Sequence, residues 1–423
     1  MKTNSKLGVM IVGIGGAVAS TAIAGVELLK NKSIGTEGLP LAAMPEELVG
    51  NLTDYENLVF AGWDMDGDDL AVAATTHNVL TLQHFQAVSE QLGSVKPLAA
   101  VCNSAFCHNI EGKNVVAAAN HSLCIDVIRE DIRRFKSEQG VERVVMINLA
   151  STESFVDKDS PTFATLENFE RAIYDNSAEI GPAMLYAYAA IGEGVSYGNF
   201  TPSVACDISA LVEYAEQKGV PLAGKDGKTG QTFIKTVIAP GLKSRALKVD
   251  GWYSTNILGN RDGFALQHPD SLKSKITTKG SVLDDILGYP VEDHIVDIRY
   301  YRPRGDNKEA WDNIDLVGFL GQPMQLKINF LCKDSILAAP LVIEIARLLD
   351  YARRCGEAGV QEQLSVFFKL PQVADEINQK PEHALHLQEQ MLLKWLTAHA
   401  EKTNDKSAED EQAQAAAAIL AIR

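Results

Sequence analysis

Two glycine-rich polar segments hold the residues best suited to chemistry. Residues 223–232 read Ala-Gly-Lys-Asp-Gly-Lys-Thr-Gly-Gln-Thr, and residues 256–263 read Asn-Ile-Leu-Gly-Asn-Arg-Asp-Gly. Glycines let a backbone approach a ligand closely, and lysine and amide groups hold anionic oxygens. More lysines follow at Lys275, Lys279 and Lys308. Either segment alone could be a surface turn, but together they favour a site for a phosphorylated polar substrate.

A glycine turn near the start of the chain indicates a nucleotide site. The apolar run Leu7–Val12 has the length of a strand, Gly13-Ile-Gly-Gly16 follows, and small residues then continue from Ala17 to Leu29. A strand, turn and helix in this order aim backbone N–H groups at a pyrophosphate. The match to GxGxxG is incomplete, because Val18 takes the sixth position and no acidic residue occupies the expected place about twenty positions on. A tight turn without a nucleotide role is the alternative.

Polar residues also follow two other predicted strands. Asn57–Trp63 ends in an acidic run whose first residue, Asp64, is our candidate for binding a ribose hydroxyl. A metal ligand or a cap for the next helix are the alternatives for this run. Val141–Leu149 runs directly into Ala150-Ser-Thr-Glu153. Since ligands of open α/β sheets bind at the carboxyl ends of the strands, these side chains are predicted to line one edge.

The periodicity of the chain predicts two kinds of sheet. Up to about residue 240, strand-like and helix-like segments alternate, which is typical of a Rossmann-type, doubly wound parallel sheet. Beyond residue 243, strand alternation predicts a mainly antiparallel α+β domain with one wet face, which we expect to mediate oligomerisation. Its predicted strands are Leu247–Trp252, His294–Tyr300, Ile314–Leu320 and Met324–Phe330. The pattern is helical again from Ser335 to about Ala400, and a polar tail follows.

Composition limits the class of protein. The 423 residues carry a net charge of −16 with a pI near 5.1, which argues against nucleic-acid and anionic-membrane partners. The six cysteines form no CxxC pair, so we expect reduced thiols, a cytoplasmic protein and no zinc framework. His108, His121 and His294 lack metal-ligand spacing, and no metal is expected. Lys2 and Lys6 precede the first apolar run as in a signal peptide, but its glycines favour a strand, a tight turn and a helix instead.

Five motifs in one order resemble the myo-inositol-1-phosphate synthase family. They are Gly13-Ile-Gly-Gly16, Leu149-Ala-Ser-Thr-Glu153, the segments 224–232 and 256–263, and Cys332-Lys-Asp-Ser-Ile-Leu-Ala-Ala-Pro-Leu341. The resemblance covers about residues 7–370. It implies an NAD-binding domain from residues 1–240 and 335–400, a catalytic and tetramerisation domain from residues 241–334, and a polar tail from 401 to 423. It also implies a homotetramer that serves inositol and phospholipid biosynthesis.

The resemblance implies an isomerase that uses NAD without net redox change. The family converts D-glucose 6-phosphate to 1D-myo-inositol 3-phosphate. C5 of the sugar is oxidised, the ketone enolises, C6 attacks the C1 aldehyde, and C5 is reduced again. Such chemistry needs cations beside the developing oxyanions. It also needs a proton acceptor, which a lysine with a depressed pKa can supply.

Matching motifs assign roles residue by residue. The catalytic lysines implied by the resemblance are Lys275, Lys279, Lys308 and Lys369. Lys275, Lys308 and Lys369 would handle protons and oxyanions, with Lys279 and Thr229 near the phosphate. The implied substrate-binding residues are Thr229, Gly230, Asn256 and Asn260. The implied cofactor-binding residues are Gly13, Gly15, Gly16, Ala17, Asp64, Ser151, Thr152, Asp226, Asp262, Asp334 and Ser335.

Some residues depart from the family pattern or have an ordinary alternative role. Ala17-Val-Ala19 stands where many relatives carry Asn-Asn-Gly, Arg261 replaces an asparagine, and Lys225 and Lys333 each replace an acidic residue. Lys369 lies in an apolar run, where it is either used or snorkels from an amphipathic helix. Asp334 could instead cap the following helix. The competing functions are an NAD-dependent dehydrogenase of another sugar phosphate and a non-catalytic relative that binds NAD or inositol phosphate.

Overall fold

The computed structural model describes residues 5–108, 111–259, 282–375 and 378–402. Within these ranges the chain forms a seven-stranded sheet and a four-stranded sheet. The strands of the first sheet are β1 (Leu7–Val12), β2 (Leu58–Asp64), β3 (Leu98–Ala99), β4 (Arg143–Asn148), β5 (Ser196–Asn199), β6 (Pro221–Gly224) and β11 (Gly359–Val360). Those of the second are β7 (Lys248–Leu258), β8 (Asp293–Tyr300), β9 (Asn307–Val317) and β10 (Pro323–Lys333).

The first sheet is parallel throughout, in the order β3-β2-β1-β4-β5-β6-β11. The chain winds outward from β1 to β3, returns to β4 and then winds outward in the other direction. All six residues of β1 are buried, as expected of a strand covered on both faces. The prediction of a Rossmann-type doubly wound sheet is therefore confirmed, with its switch point between β1 and β4.

Helices cover both faces of this sheet. The helices in the described ranges are α1 (Ala17–Lys30), α2 (Glu46–Val49), α3 (Leu70–His77), α4 (Leu82–Ser94), α5 (His121–Gln139), α6 (Leu166–Tyr174), α7 (Pro182–Gly192), α8 (Ser209–Lys218), α9 (Gly230–Ser244), α10 (residues 282–287), α11 (Asp334–Arg354) and α12 (residues 385–402). Short 3₁₀ turns lie at Pro40–Ala43, Tyr55–Asn57, Pro161–Phe163, Arg302–Arg304, Phe319–Gly321 and Glu362–Phe367.

Alternate residues of β1 supply two different cores. Leu7, Val9 and Ile11 pack with α1, α4 and α11 on one face. Met10 and Val12 pack with α5, α6, α7 and α8 on the other. The side-chain period of two along a strand therefore places one strand in both cores. None of the helices in the described ranges has the length and apolar run needed to cross a bilayer.

The second sheet has the order β10-β9-β7-β8 and one covered face. Two of its three pairings are antiparallel, whereas β7 and β8 run parallel, so the sheet is mixed but mainly antiparallel as predicted. Trp252 and Ile314 point toward α9 and α10 and form a third core with Leu242 and Val282. Trp311, on the opposite face of β9, is exposed. This separate sheet confirms the predicted change of architecture beyond α9.

Several predicted element boundaries differ from the structure. β7 continues past its predicted end at Trp252 to Leu258, and β9 begins at Asn307 rather than at Ile314. Helix α5 begins at His121, because the Asn120 side chain accepts a hydrogen bond from the Leu123 amide and caps it there. The strand expected to reach Leu320 ends at Val317. The chain reverses there, with Leu320 in the left-handed region at φ 61°.

Candidate active site

A cleft opens at the carboxyl ends of β1, β2 and β4, where the strand order reverses. Among its lining residues are Val12, Gly13, Gly16, Ala17, Asp64, Ser151, Asp226, Thr229, Asp334, Ser335 and Lys369. The cleft thus runs without interruption from the glycine turn at residues 13–16 to Lys369, which lies far along the sequence. This is the edge at which open α/β sheets bind ligands.

The glycine turn lies tightly against the end of β4. Gly13 has φ 84°, and a Cβ atom added there would lie 3.0 Å from backbone atoms of Ala150, so no larger residue fits without displacing the chain. The Gly13 amide donates to the carbonyl of Trp63 at 2.8 Å. Gly16 is the N-cap residue of α1, and no side chain in the described ranges caps this helix. The first-turn amides of α1 are therefore available to an anion, which fits a pyrophosphate.

Asp64 lies directly beside this turn. One of its carboxylate oxygens, Oδ2, accepts the Gly15 amide at 2.9 Å, and Oδ1 accepts the Asp66 amide at 3.0 Å. Asp64 is the last residue of β2 rather than the first after it. Its place at the end of β2 fits a contact with a ribose hydroxyl. The opposite side of Gly15 is held by His77, whose Nε2 lies 2.8 Å from the Gly15 carbonyl oxygen.

A buried ion pair lies at the other end of the cleft. Lys369 Nζ is 2.7 Å from Asp226 Oδ1, and both side chains are about 5% exposed. The Lys369 amide also donates to the Asp226 carbonyl oxygen at 2.7 Å. Lys369 lies in a bend just after the 3₁₀ turn Glu362–Phe367 and is not part of a helix, so the alternative of snorkelling from an amphipathic helix is wrong. A charged amine in such a place is suited to hold or exchange a proton with a bound ligand.

A second lysine reaches the same region from β9. Lys308 Nζ is 3.2 Å from Asp334 Oδ1. Gly230, the first residue of α9, has φ 59°, and a Cβ atom there would lie 3.1 Å from the Lys308 amine. Glycine at this position therefore leaves room for the lysine. Thr229 precedes it at the cleft surface.

Asp334 is the first residue of α11 and not its cap, so the alternative interpretation of this residue is wrong. The helix begins at Asp334, and Lys333 precedes it without any side-chain cap. Asp306 instead accepts hydrogen bonds from the Ser335 amide at 3.2 Å and the Ser335 hydroxyl at 2.7 Å. Burial raises the pKa of Asp306 above its usual value, although the Ser335 bonds oppose this. Asp306 could not be predicted from local sequence pattern, because it lies 29 residues from its partner Ser335.

The remaining predicted residues fall into two groups. Ser151 lines the cleft, whereas Thr152 is buried. Asn256 is buried on β7 and donates through Nδ2 to Gln231 Oε1, while its Oδ1 has no hydrogen-bond partner among the described residues. Five further residues, Asn260, Arg261, Asp262, Lys275 and Lys279, lie outside the described ranges.

Three buried lysines near the cleft were not predicted as site residues. Lys225 forms an ion pair with Asp207 at 2.6 Å. Burial lowers the pKa of Lys228 to about 7 and that of Lys235 to about 8. Lys235 Nζ lies 2.6 Å from His294 Nε2, and burial with the adjacent ammonium lowers the pKa of His294 to about 4. The sequence signal that could have identified these lysines is their crowding within or near residues 223–232.

A family model described as myo-inositol-1-phosphate synthase matches residues 41–397. The chain belongs to this family. Inositol-3-phosphate synthase 1 of Bacteroides thetaiotaomicron is 42% identical over 406 residues, with 92% of this chain and 94% of that protein covered. Inositol-3-phosphate synthase of Saccharomyces cerevisiae is 31% identical, with 84% of this chain and 75% of that protein covered. The resemblance drawn from the motifs is confirmed.

The fold of the myo-inositol-1-phosphate synthase family agrees with this assignment. The crystal structure of inositol-3-phosphate synthase from Caenorhabditis elegans is 27% identical and superposes with a TM-score of 0.86, covering 94% of this chain and 86% of that one. The matching model is also an NAD-binding one, so the expected cofactor is confirmed as NAD. The uncapped start of α1 and Asp64 at the end of β2 are the donor and acceptor groups that such a dinucleotide requires.

Proposed function

We propose that this member of the myo-inositol-1-phosphate synthase family converts D-glucose 6-phosphate to 1D-myo-inositol 3-phosphate. The observation that carries the proposal is the single cleft that joins the glycine turn to the Lys369–Asp226 pair. A dinucleotide held at α1 would extend toward this pair. Lysine amines at that end can serve the proton transfers and oxyanions of an enolisation and an aldol closure.

We assign the cofactor and substrate contacts as follows. Gly13, Gly15, Gly16 and Ala17 hold the pyrophosphate, and Asp64 holds a ribose hydroxyl. The nicotinamide end is held by Ser151, Thr152, Asp226, Asp262, Asp334 and Ser335. The sugar phosphate is held by Thr229, Gly230, Asn256, Asn260 and Lys279. Support comes from the cleft, which is lined by residues of all three groups.

The proposed chemistry divides the work between cofactor and lysines. The contribution of bound NAD is reversible hydride transfer at C5. Lys275, Lys308 and Lys369 would share the proton transfers. A neutral amine would accept the proton of the C5 hydroxyl when the hydride leaves and return it when C5 is reduced. A neutral amine would also accept the proton from C6, and an ammonium would return a proton to the alkoxide formed at C1. Asp226 and Asp334 lie within ion-pair distance of Lys369 and Lys308 and orient their amines. An ammonium beside the enolate oxygen or the C1 alkoxide stabilises its charge.

The second sheet is the proposed assembly surface of a homotetramer. The open face of this sheet is defined by Tyr253, Ile295, Trp311 and Leu331, which are between 36% and 62% exposed. Tyr253 and Trp311 lie 5.6 Å apart between ring centroids and form an apolar centre. Exposed apolar groups of this size on one sheet face are typical of a protein interface.

The domain division follows the same proposal. Residues 1–240 and 335–400 would form the NAD-binding domain, since β11 pairs with β6 and α11 packs on the first sheet. Residues 241–334 would form the catalytic and oligomerisation domain, and residues 401–423 the tail. We place the protein in the cytoplasm, supported by six free cysteines, and its product in inositol and phospholipid biosynthesis.

The test incubates the purified protein with glucose 6-phosphate and NAD and identifies the product by NMR. We expect an inositol monophosphate to form, while the NADH concentration, followed by its absorbance, stays below the concentration of the enzyme. Continued growth of NADH absorbance would instead indicate a sugar-phosphate dehydrogenase. NAD binding with no consumption of sugar would indicate the non-catalytic relative.

A further inference from the structure

The loop 224–226 and the segment that carries Lys369 are paired through their backbones. The Lys225 amide donates to the Leu370 carbonyl at 2.9 Å, and the Leu370 amide donates to the Lys225 carbonyl at 3.3 Å. The Gln372 amide donates to Gly224 at 2.8 Å. Any shift of this loop therefore shifts the backbone on which Lys369 is carried.

The loop itself is held by a buried ion pair. Lys225 Nζ is 2.6 Å from Asp207 Oδ2, with side chains 9% and 3% exposed. Burial alone would raise the pKa of the Asp207 carboxyl, but the adjacent Lys225 ammonium holds it below its usual value. Asp207 Oδ1 also accepts the Ala205 amide at 2.9 Å. One carboxylate oxygen of Asp207 is thus held by a hydrogen bond, and the other contacts the Lys225 ammonium in the ion pair.

The segment 205–207 contacts the Lys369 segment as well. Gln372 Nε2 donates to the Cys206 carbonyl at 3.1 Å. Between these anchors Asp226 adopts φ 58°, a left-handed conformation that is unfavourable for a residue with a Cβ atom. The surrounding contacts must therefore hold Asp226 in place. One of them is the ion pair with Asp207, which is made by Lys225, the neighbour of Asp226 in sequence.

We propose that the Asp207–Lys225 ion pair positions the Lys369–Asp226 pair for catalysis. Neither Asp207 nor Lys225 is among the residues that line the cleft, so the pair acts through the backbone of the loop. The proposal rests on the proposed function, in which Lys369 is catalytic. It gives a role to Lys225, one of the residues that departs from the acidic residue of many relatives.

The first experiment compares three variants and one control. Lys225→Met breaks the pair, Lys225→Arg keeps a cation, and Asp207→Asn/Lys225→Met removes both charges and with them the penalty of a lone buried charge. The control is Arg347→Met, which breaks the Arg347–Glu344 pair on α11, with side chains 6% and 0% exposed. Arg347 is not among the cleft-lining residues.

We expect kcat of Lys225→Met to fall by about 10- to 100-fold with KM nearly unchanged, because small displacements of catalytic groups are costly. Lys225→Arg should recover most of this loss. The double variant should regain thermal stability relative to Lys225→Met and yet keep the low kcat. Arg347→Met should lose stability and keep kcat per folded molecule. A kcat of Lys225→Met close to that of the parent would overturn the proposal, even if its Tm falls.

A second measurement does not depend on turnover. Brief acetylation followed by mass spectrometry of the peptide that contains Lys369 reports how firmly its amine is held. We expect Lys225→Met to raise the rate of Lys369 labelling at least about fivefold, as local opening becomes easier, and Arg347→Met to leave it unchanged. Equal rates in parent and Lys225→Met would contradict the positioning role. If the parent forms no inositol phosphate, the proposed function fails, while this labelling comparison still decides the positioning role.

Discussion

The ion pair between Lys369 and Asp226 depends on both of its members. At about 5% exposure neither charge is well solvated, so removing one leaves the other in an unfavourable place. The proposed chemistry uses this state, because a desolvated ammonium beside a reacting oxygen stabilises charge more strongly than one in water.

Replacing Lys369 by Met is expected to lower turnover by at least about 10²-fold, since it removes a group proposed to move protons and hold an oxyanion. NAD affinity should stay near that of the parent, because the pyrophosphate contacts lie at the other end of the cleft. NMR of the product and calorimetric titration with NAD measure these two quantities. Asp226→Asn/Lys369→Met, which leaves no lone charge, is the stability control and should be equally inactive. Turnover within about tenfold of the parent would refute the role of Lys369.

A separate prediction concerns Lys228 and the pH dependence of the free energy of unfolding. Burial lowers its pKa in the folded protein to about 7, from 10.5 for an ordinary lysine, although Glu382 opposes the shift. Between these two values the unfolded chain binds more protons than the folded one. The free energy of unfolding therefore rises with pH in this window, by about 1 kcal/mol per pH unit from this group. Below the pKa of the folded protein, Lys228 contributes no further change.

The measurement is denaturant unfolding of the parent and of Lys228→Met from roughly pH 7 to pH 9. The stability of the parent relative to the variant should increase across this range. Lys96→Met, which replaces an exposed lysine, is the control and should give a constant difference. A constant difference for Lys228→Met as well would show that the Lys228 amine is solvated in the folded protein.

At the scale of elements, the β1–α1 turn requires glycine for its shape. In Gly13→Ala the new methyl group would meet the backbone of Leu149 and Ala150, just after β4, at a positive φ, so the turn must move. We expect a loss of NAD affinity of at least about tenfold, because the first-turn amides of α1 no longer face the pyrophosphate together. Titration of the protein with NAD, followed by intrinsic fluorescence, measures it.

The matched control lies in the same helix. Gly25 in α1 has no atom within 4 Å of an added Cβ, so Gly25→Ala should keep NAD affinity and gain about 0.5–1 kcal/mol of stability. Equal affinities of Gly13→Ala and Gly25→Ala for NAD would mean that the turn does not hold the cofactor.

Elements formed from local pattern were predictable, and their pairing was not. The continuous apolar run gave β1 its observed bounds, Leu7–Val12. Alternation revealed β7 and β8, but both directions of pairing satisfy the same alternation, so their parallel arrangement could not be read from it. Lys369 carried a signal, a charge in an apolar run. The Asp207–Lys225 and Lys235–His294 contacts carried none in local pattern, since each joins residues from different elements.

At the scale of the whole molecule, the open face of the second sheet would expose large apolar side chains to water in a monomer. If this face is buried on assembly, a charge at its centre must be desolvated without a partner. Trp311→Glu is therefore expected to reduce the molar mass measured by light scattering from that of the proposed tetramer toward that of a smaller species.

The control for this surface is Tyr174→Glu. Tyr174 is 85% exposed on α6, outside the second sheet, so the same charge there should leave the molar mass unchanged. A Trp311→Glu protein with the molar mass of the parent would exclude this part of the sheet from the assembly surface.

The return of the chain from the second sheet to β11 also sets an order of events during synthesis. Asp226 leaves the ribosome 143 residues before its partner Lys369. At about 5–20 residues per second, this interval lasts roughly 7–30 s. During that time the nascent chain has the glycine turn and most of the first sheet but not the ion pair. A chain that terminates before residue 369 therefore contains the glycine turn proposed to hold the pyrophosphate but lacks the lysine proposed to act on the sugar.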